Sequence, residues 1–494
     1  MEEKKSSNKK KKRGRRRKQR ELILKASLVG VLLIILAVIL VLAFRVGKDK
    51  DQTADKDSDK KQEQQTEDNV TQEEEQKDQK EQQRQLLMAQ ADLQAAQYDY
   101  DAAMATLNSI EGAAEDTEIQ EKLTQIQQTK DSCVPVNMNE VTHIFYHSLV
   151  VDPEKGFAGN DSVAAGFKQW MTTVDEFNKI TQSMYDKGYV MVSLHDLVEQ
   201  TVDADGTVHF KPATIMLPPG KKAYVLSLDD LCYYHSYDNR GIASKIVLDE
   251  NGKPTCEYIQ DDGTVVTGAY DCVPLMDAFV EQHPDASYRG AKGIIALTGY
   301  DGILGYRTDG VYNTAVPEED PEHFFLSKDQ QKWLDEHPDF NWDQECAEAK
   351  KVADAMKADG WEFASHTWGH QHIADISYDK LVRDTERWAK YVAPLVGGTD
   401  TIIFAHGQDL TSGQDYTPDN EKFTYLKSQG FNFYCNVDST QYWLKIEDNY
   451  LRMGRRNLDG YRLWQDAHGT ESKTSDLFDA KEVLDPRRTD VPDL

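Results

Sequence analysis

Residues 361–372 read WEFASHTWGHQH and carry three histidines, His366, His370 and His372. His366 and His370 are spaced i, i+4, which can bring both imidazoles to one side of a helical turn or tight bend. Two neutral imidazoles facing one point make a partial site for a borderline metal such as Zn²⁺. The spacing is that of the zincin motif HExxH, but Thr367 stands where that motif has its glutamate base. A metal here therefore needs a third ligand and a base from elsewhere in the chain. Glu362-Phe363-Ala364 reads as a short buried strand, so the pair falls where a strand ends and a loop begins.

A second candidate lies upstream. Residues 224–228, YVLSL, read as an apolar strand ending in Asp229-Asp230 and followed by Tyr233-Tyr234-His235. Two adjacent carboxylates at the end of an inner strand are costly unless a cation or proton sits between them. The C-terminal end of a barrel strand is also where catalytic groups are carried. One carboxylate with His366 and His370 makes a facial set that leaves metal positions open, the arrangement of a catalytic site. The other aspartate can then act as base.

With these residues the chain resembles the polysaccharide deacetylase family, also called carbohydrate esterase family 4 or the NodB-homology domain. LSLDDL at 226–231 stands against the family's T-F-D-D-G, and SHTWGH at 365–370 against its H-[ST]-x-x-H. The IFYHS at 144–148 and the helix leading into GYVMVSLHDL resemble the branch acting on poly-N-acetylglucosamine. The resemblance runs over roughly 137–464, with a long insertion after the first motif. It implies a distorted (β/α) barrel that hydrolyses N-acetyl groups from amino-sugar glycan, with Asp229 as general base and Asp230, His366 and His370 as metal ligands. The implied cofactor is a divalent metal, Zn²⁺ first, with Co²⁺ or Ni²⁺ as alternatives.

Two departures stand out. The family's third motif appears as FAHGQD at 404–409, with His406 at the place of a tyrosine whose main-chain N–H helps hold the oxyanion. The last motif, which supplies a general-acid histidine, is replaced by LRMGRRNLDG at 451–460. His406, His235 or His147 are then the candidate proton donors, with His406 also a candidate for the oxyanion. Arg455 or Arg456 is the candidate charge partner of Asp229, and His372 reads as a bystander.

The elements that must position these groups alternate between strand and helix, which indicates an α/β domain with a largely parallel sheet or barrel. Strands are expected at 141–146, 189–192, 224–228, 293–298, 401–404, 431–435 and 449–453, and helices at 174–187, 272–282 and 343–359. Turn signals at Asn251-Gly252 and Asp262-Gly263 mark an inserted antiparallel unit at about 240–270. The stretch 300–339 reads as a long loop over the substrate groove. This catalytic domain is assigned to 137–494.

Ahead of it lie four other segments. Residues 1–20 carry twelve Lys or Arg against Glu2 and Glu3, leaving about −38 of the net −28 for the rest of the chain. So acidic a body argues against nucleic acid as a partner. The basic tail, 1–25, directly precedes an uncharged apolar run at 26–44, long enough at about 1.5 Å per residue to cross a bilayer. No A-x-A-like cleavage site follows, so 26–44 reads as an uncleaved anchor rather than a signal peptide. The cationic flank places the N-terminus in the cytoplasm and the catalytic domain outside the cell. Residues 45–84 form a charged, Gln/Glu-rich stalk. Residues 85–132 read as a helical hairpin, either a tetratricopeptide-like unit or a coiled-coil spacer, offering a face to a protein partner or a second copy.

The six cysteines show no C-x-x-C, and Cys256 and Cys272 are the candidate disulfide pair across a hairpin region. The reading is a membrane-anchored, metal-dependent deacetylase of cell-wall or exopolysaccharide N-acetylglucosamine. A glycan-binding protein that has lost turnover, and a related amidase on another acylated substrate, are the competing readings.

Overall fold

The structure is a computed structural model and describes residues 60–315 and 325–493. The basic tail, the apolar run at 26–44 and the start of the stalk lie outside the described residues. Among the described residues, no helix is long and apolar enough to cross a membrane. The chain divides into two compact units, 1–81 and 82–494. The helix Lys60–Ala96 begins in the first and ends in the second.

Seven parallel strands of the second unit close into a barrel in chain order. They are β1 (Thr142–Tyr146), β2 (Lys222–Asp229), β3 (Ile294–Leu297), β4 (Glu362–Ser365), β5 (Thr401–Ile403), β6 (Phe433–Val437) and β7 (Leu451–Asn457). Each pairs with the next, and β7 returns to β1 through Arg455 opposite His143. A short strand, Tyr189–Met191, adds to the start of β2 outside the ring. Helices cover the outside, so the strands are buried on both faces and read as nearly continuous apolar runs. That is why 141–146 and 224–228 are legible as strands. The last strand is offset from its expected 449–453: it runs on to Asn457, because β1 pairs with its second half.

Side chains alternate between the two faces of a strand. In β2, Ala223, Val225, Ser227 and Asp229 point inward, and in β7 Leu451, Met453 and Arg455 do. Towards the N-terminal mouth these positions are apolar. Val225, Ile294, Ala296, Phe433, Leu451 and Met453 belong to one buried cluster with Ala91, Tyr98, Ala103, Leu107 and Ile119 of the N-terminal helices. The segment read as a hairpin thus consists of the end of Lys60–Ala96, Tyr100–Asn108 and Thr117–Ser132, and its small-residue face packs on the barrel. Tyr98 donates to the Asp285 carbonyl at 2.7 Å, and Arg289 N–H to the Gln97 carbonyl at 2.8 Å. The apolar face of these helices is covered by this domain itself, while Leu86 and Leu93 are exposed.

The insertion is a three-stranded antiparallel sheet, Lys245–Leu248, Pro254–Ile259 and Val265–Gly268. The loop at 300–339 contains the helix Lys328–Glu336. All six cysteines are free thiols. Cys256 and Cys272 are not a disulfide: Cys256 lies mid-strand, while Cys272 opens the helix Cys272–Gln282 with its thiol turned towards the His147 carbonyl, 3.9 Å away.

Candidate active site

The strand ends deliver the polar residues to one mouth. Asp229 is opposite Ala296 of β3, Leu297 is opposite Ser365 of β4, and Val437 is opposite Arg455. Asp230 and His366 each follow the last residue of a strand, so parallel register alone brings them together. The loops then bend sharply. Asp230, Thr367, His370 and His406 all have positive φ, at 57°, 61°, 49° and 56°. Left-handed non-glycine residues are uncommon, and four at one barrel mouth show backbone strain concentrated at the site.

Asp230, His366 and His370 each present a donor atom, all within 4.8 Å of one another. His370 Nε2 lies 3.3 Å from Asp230 Oδ2. The donor set suits a divalent metal. Bond lengths of about 2.0–2.2 Å at a tetrahedral angle put bound donors about 3.3–3.6 Å apart, a small closure from the observed positions. The tautomer fits as well. His366 Nδ1 is 2.8 Å from the Ile403 carbonyl, which can only accept, so the proton is on Nδ1 and the Nε2 lone pair is free for a cation. Burial holds the His366 imidazole below its ordinary pKa, against the pull of Asp229 and Asp230.

Supporting contacts fix these ligands. Tyr234 donates its hydroxyl to Asp230 Oδ1 at 2.7 Å. Asp384 accepts from Trp368 N–H at 2.7 Å and Gly369 N–H at 2.9 Å, pinning the loop between the two histidines. Burial by itself would raise the pKa of Asp230, but the neighbouring His370 and His366 hold its carboxyl well below the carboxylate range.

Asp229 is not part of that set. Arg455 grips it in a fork, Nη1 to Oδ1 at 2.7 Å and Nη2 to Oδ2 at 2.9 Å, with Nη1 also donating to Ser227 Oγ at 3.1 Å. Burial opposes its charge, yet the Arg455 guanidinium, then His366, keep its carboxyl below the usual range. Its Oδ2 faces the ligand set, 3.9 Å from His366 Nε2. Arg456, one residue on, points to the outer face and pairs with Asp476 at 2.7 Å. Strand parity thus decides between the two arginines.

Asp229, Asp230, His366 and His370 line a cavity of about 730 Å³ together with His147, Trp170, His406 and Asp459. His147 follows β1, and its Nδ1 lies 3.1 Å from the Trp170 carbonyl, so Nδ1 donates and Nε2 remains available to the cavity. Asp459, on the same cavity wall, has its pKa raised by burial. His406 sits at the rim. Its ring stacks on His372 with centroids 3.6 Å apart, and its Nε2 donates to the His370 carbonyl at 3.1 Å. Partial burial and the adjoining imidazoles of His370 and His372 push His406 down to about 4. His235 does not line the cavity; it is bonded to Tyr312 Oη at 2.6 Å and faces Asp238 at 3.3 Å. The sequence marks Tyr234 only as part of the aromatic run after Asp230, and nothing in it points to Asp384 or Asp459.

Residues 294–408 match the family model described as polysaccharide deacetylase. This part of the barrel is similar to polysaccharide deacetylases. The matched stretch opens with β3 and includes His366, His370 and His406. It leaves out Asp229, Asp230, Arg455 and His147, which the barrel closure brings to the same mouth. No curated protein matches the sequence. Among solved structures, the Streptococcus pyogenes deacetylase PplD in complex with acetate aligns at 14% identity and a TM-score of 0.31, over 67% of this chain and 98% of that one.

Proposed function

We propose that the protein is a metal-dependent deacetylase that hydrolyses N-acetyl groups of amino-sugar glycan. The observation that carries the reading is the convergence of Asp230, His366 and His370 beside an aspartate that is excluded from the ligand set and clamped by arginine. A divalent cation held by Asp230, His366 and His370 would supply Lewis-acid polarisation of the amide carbonyl and acidification of water. Zn²⁺ suits two imidazoles and a carboxylate best, with Co²⁺ or Ni²⁺ as substitutes.

The chain's own groups account for the proton movements. Asp229, kept ionised by Arg455, takes a proton from the attacking water at Oδ2 as the water oxygen bonds to the carbonyl carbon. Main-chain N–H groups of the His406-Gly407 turn are assigned to the developing oxyanion. The proton taken by Asp229 passes through solvent to His147 Nε2, and the C–N bond breaks as the imidazolium so formed delivers it to the amine nitrogen, giving free amine and acetate and restoring Asp229. His147 is preferred to His406 as donor because the His406 imidazole is neutral at ordinary pH and its Nε2 is bonded to the His370 carbonyl. His235 is set aside because it faces away from the cavity.

In this reading 26–44 anchors the chain, the N-terminus is cytoplasmic, and the domain works on polysaccharide outside the cell. The rival reading, a glycan binder without turnover, is disfavoured by the Arg455–Asp229 fork, which binding alone does not require. The test is acetate release from N-acetylglucosamine oligomers by the full chain with Zn²⁺ or Co²⁺, alongside glycan binding. Binding without release sinks the enzyme reading.

A further inference from the structure

The His147–Trp170 bond depends on a residue outside the cavity. Trp170 ends the helix Ser162–Trp170, whose last carbonyls have no partner within the helix. Arg488, in the C-terminal segment, fills that need on both sides of Trp170. Its Nη1 donates to the Lys168 carbonyl at 2.7 Å and its Nη2 to the Met171 carbonyl at 2.9 Å. The same guanidinium forks onto Glu176, Nε to Oε1 at 3.0 Å and Nη2 to Oε2 at 2.7 Å, and both side chains are fully buried. Glu176 in turn accepts the N–H of Thr173 at 2.8 Å in a capping box that opens the next helix, Val174–Asp186. A Cβ on Gly460 would collide with Arg488 Nη1 and the Lys168 carbonyl, so the surroundings admit the guanidinium and little else.

We propose that Arg488 is a positioning residue for His147. Gripping the backbone at Lys168 and Met171, it aims the Trp170 carbonyl at His147 Nδ1. That bond keeps one proton on Nδ1 and turns Nε2 to the cavity, where it takes up the second proton of the imidazolium and passes it to the leaving amine. A buried fork of this kind is geometrically demanding, and lysine, with one nitrogen, cannot reproduce it. The inference rests on the function proposed above.

The experiment compares the full-length, Zn²⁺-loaded protein with Arg488→Lys and His147→Gln on two acetyl donors, an N-acetylglucosamine tetramer and 4-nitrophenyl acetate. The nitrophenolate leaves without a proton, so ester cleavage does not need His147. General acid catalysis contributes about 10²- to 10⁴-fold. His147→Gln should therefore lose roughly 10²-fold on the amide, and Arg488→Lys about tenfold, with ester cleavage within about twofold of the wild type in both. ¹⁵N shifts of the histidine rings give a readout independent of turnover: His147 should be the Nδ1–H tautomer in the wild type and a mixture in Arg488→Lys. Equal loss on both donors, no loss on the amide, or an unchanged tautomer in Arg488→Lys overturns the proposal. Should that variant not fold, a wild-type His147 protonated on Nε2 overturns it equally, and one protonated on Nδ1 supports it. If the wild type releases no acetate from the tetramer, the proposed function fails, while the tautomer comparison still decides what Arg488 positions.

Discussion

Arg455 holds Asp229 through two hydrogen bonds of 2.7 and 2.9 Å, inside a barrel where both side chains are buried. A forked pair of this kind fixes orientation as well as charge. It turns one carboxylate oxygen to the metal-ligand set while keeping the group ionised despite burial.

Removing the arginine should be costly in two ways. Arg455→Met leaves Asp229 buried without its partner, which destabilises by about 3–5 kcal/mol. In the wild type the folded pKa of Asp229 is depressed, so its stabilising contribution is present above the unfolded pKa and lost as pH falls through the folded one. In Arg455→Met burial dominates and the folded pKa rises, so the acid limb of kcat/KM should move to higher pH. An unmoved limb in the pH–rate profile would separate Arg455 from the base.

Metal binding should stabilise the fold. Zn²⁺ at about 100 times its Kd adds about 2.7 kcal/mol to the unfolding free energy. Thermal melts with and without chelator should show that shift in the wild type and lose it in His366→Ala and His370→Ala. His372→Ala should keep it, since His372 stacks on His406 and stands outside the ligand group. A shift retained in both ligand variants would place the metal elsewhere.

The turn at Gly407 tolerates no side chain. Its φ is 66°, and a Cβ there would sit 2.6 Å from Val437 Cβ. Gly407→Ala should cost at least about 1 kcal/mol from the left-handed backbone alone. Because His406 and Gly407 line the cavity, activity should fall as well. Denaturant melts and acetate release on the same sample check this, and a neutral outcome in both would remove the turn from the mechanism.

His195 carries a pH dependence of stability. It bridges Glu362, 2.8 Å from Nδ1, and Asp400, 2.9 Å from Nε2, at the starts of β4 and β5. Burial opposes its charge, but the two carboxylates raise its pKa to about 10. A raised histidine stabilises fully below its unfolded pKa, about 6.5, and loses that contribution as pH climbs towards 10. The melting temperature of the wild type should drop more steeply across that window than that of His195→Gln. Parallel curves would show that the bridge contributes nothing.

How much of this was legible beforehand follows from locality. Asp229-Asp230 and His366/His370 are short patterns at the ends of apolar strands, and parallel register does the rest. Arg455 and Arg456 are neighbours, and only the parity of β7, with Leu451 and Met453 inward, separates the inner one from the outer. The histidines needed partners invisible in one dimension: His147 is set by a carbonyl at Trp170, and His406 is drawn to the loop of His370. The C-terminal segment with Arg488 has no motif, because its work is done by packing against helices more than 300 residues earlier. The N-terminal helices read as a separate spacer because their apolar face is periodic by itself, whereas its partner is the N-terminal mouth of the barrel.

The central claim is a division of labour between adjacent aspartates. The measurement that tests it most directly is acetate release from N-acetylglucosamine oligomers by wild type and Asp229→Asn, with bound Zn²⁺ quantified in both. The account expects release by the wild type, near-complete loss in Asp229→Asn, and equal metal content. Loss of the metal together with activity in Asp229→Asn, or turnover that survives the substitution, would contradict it.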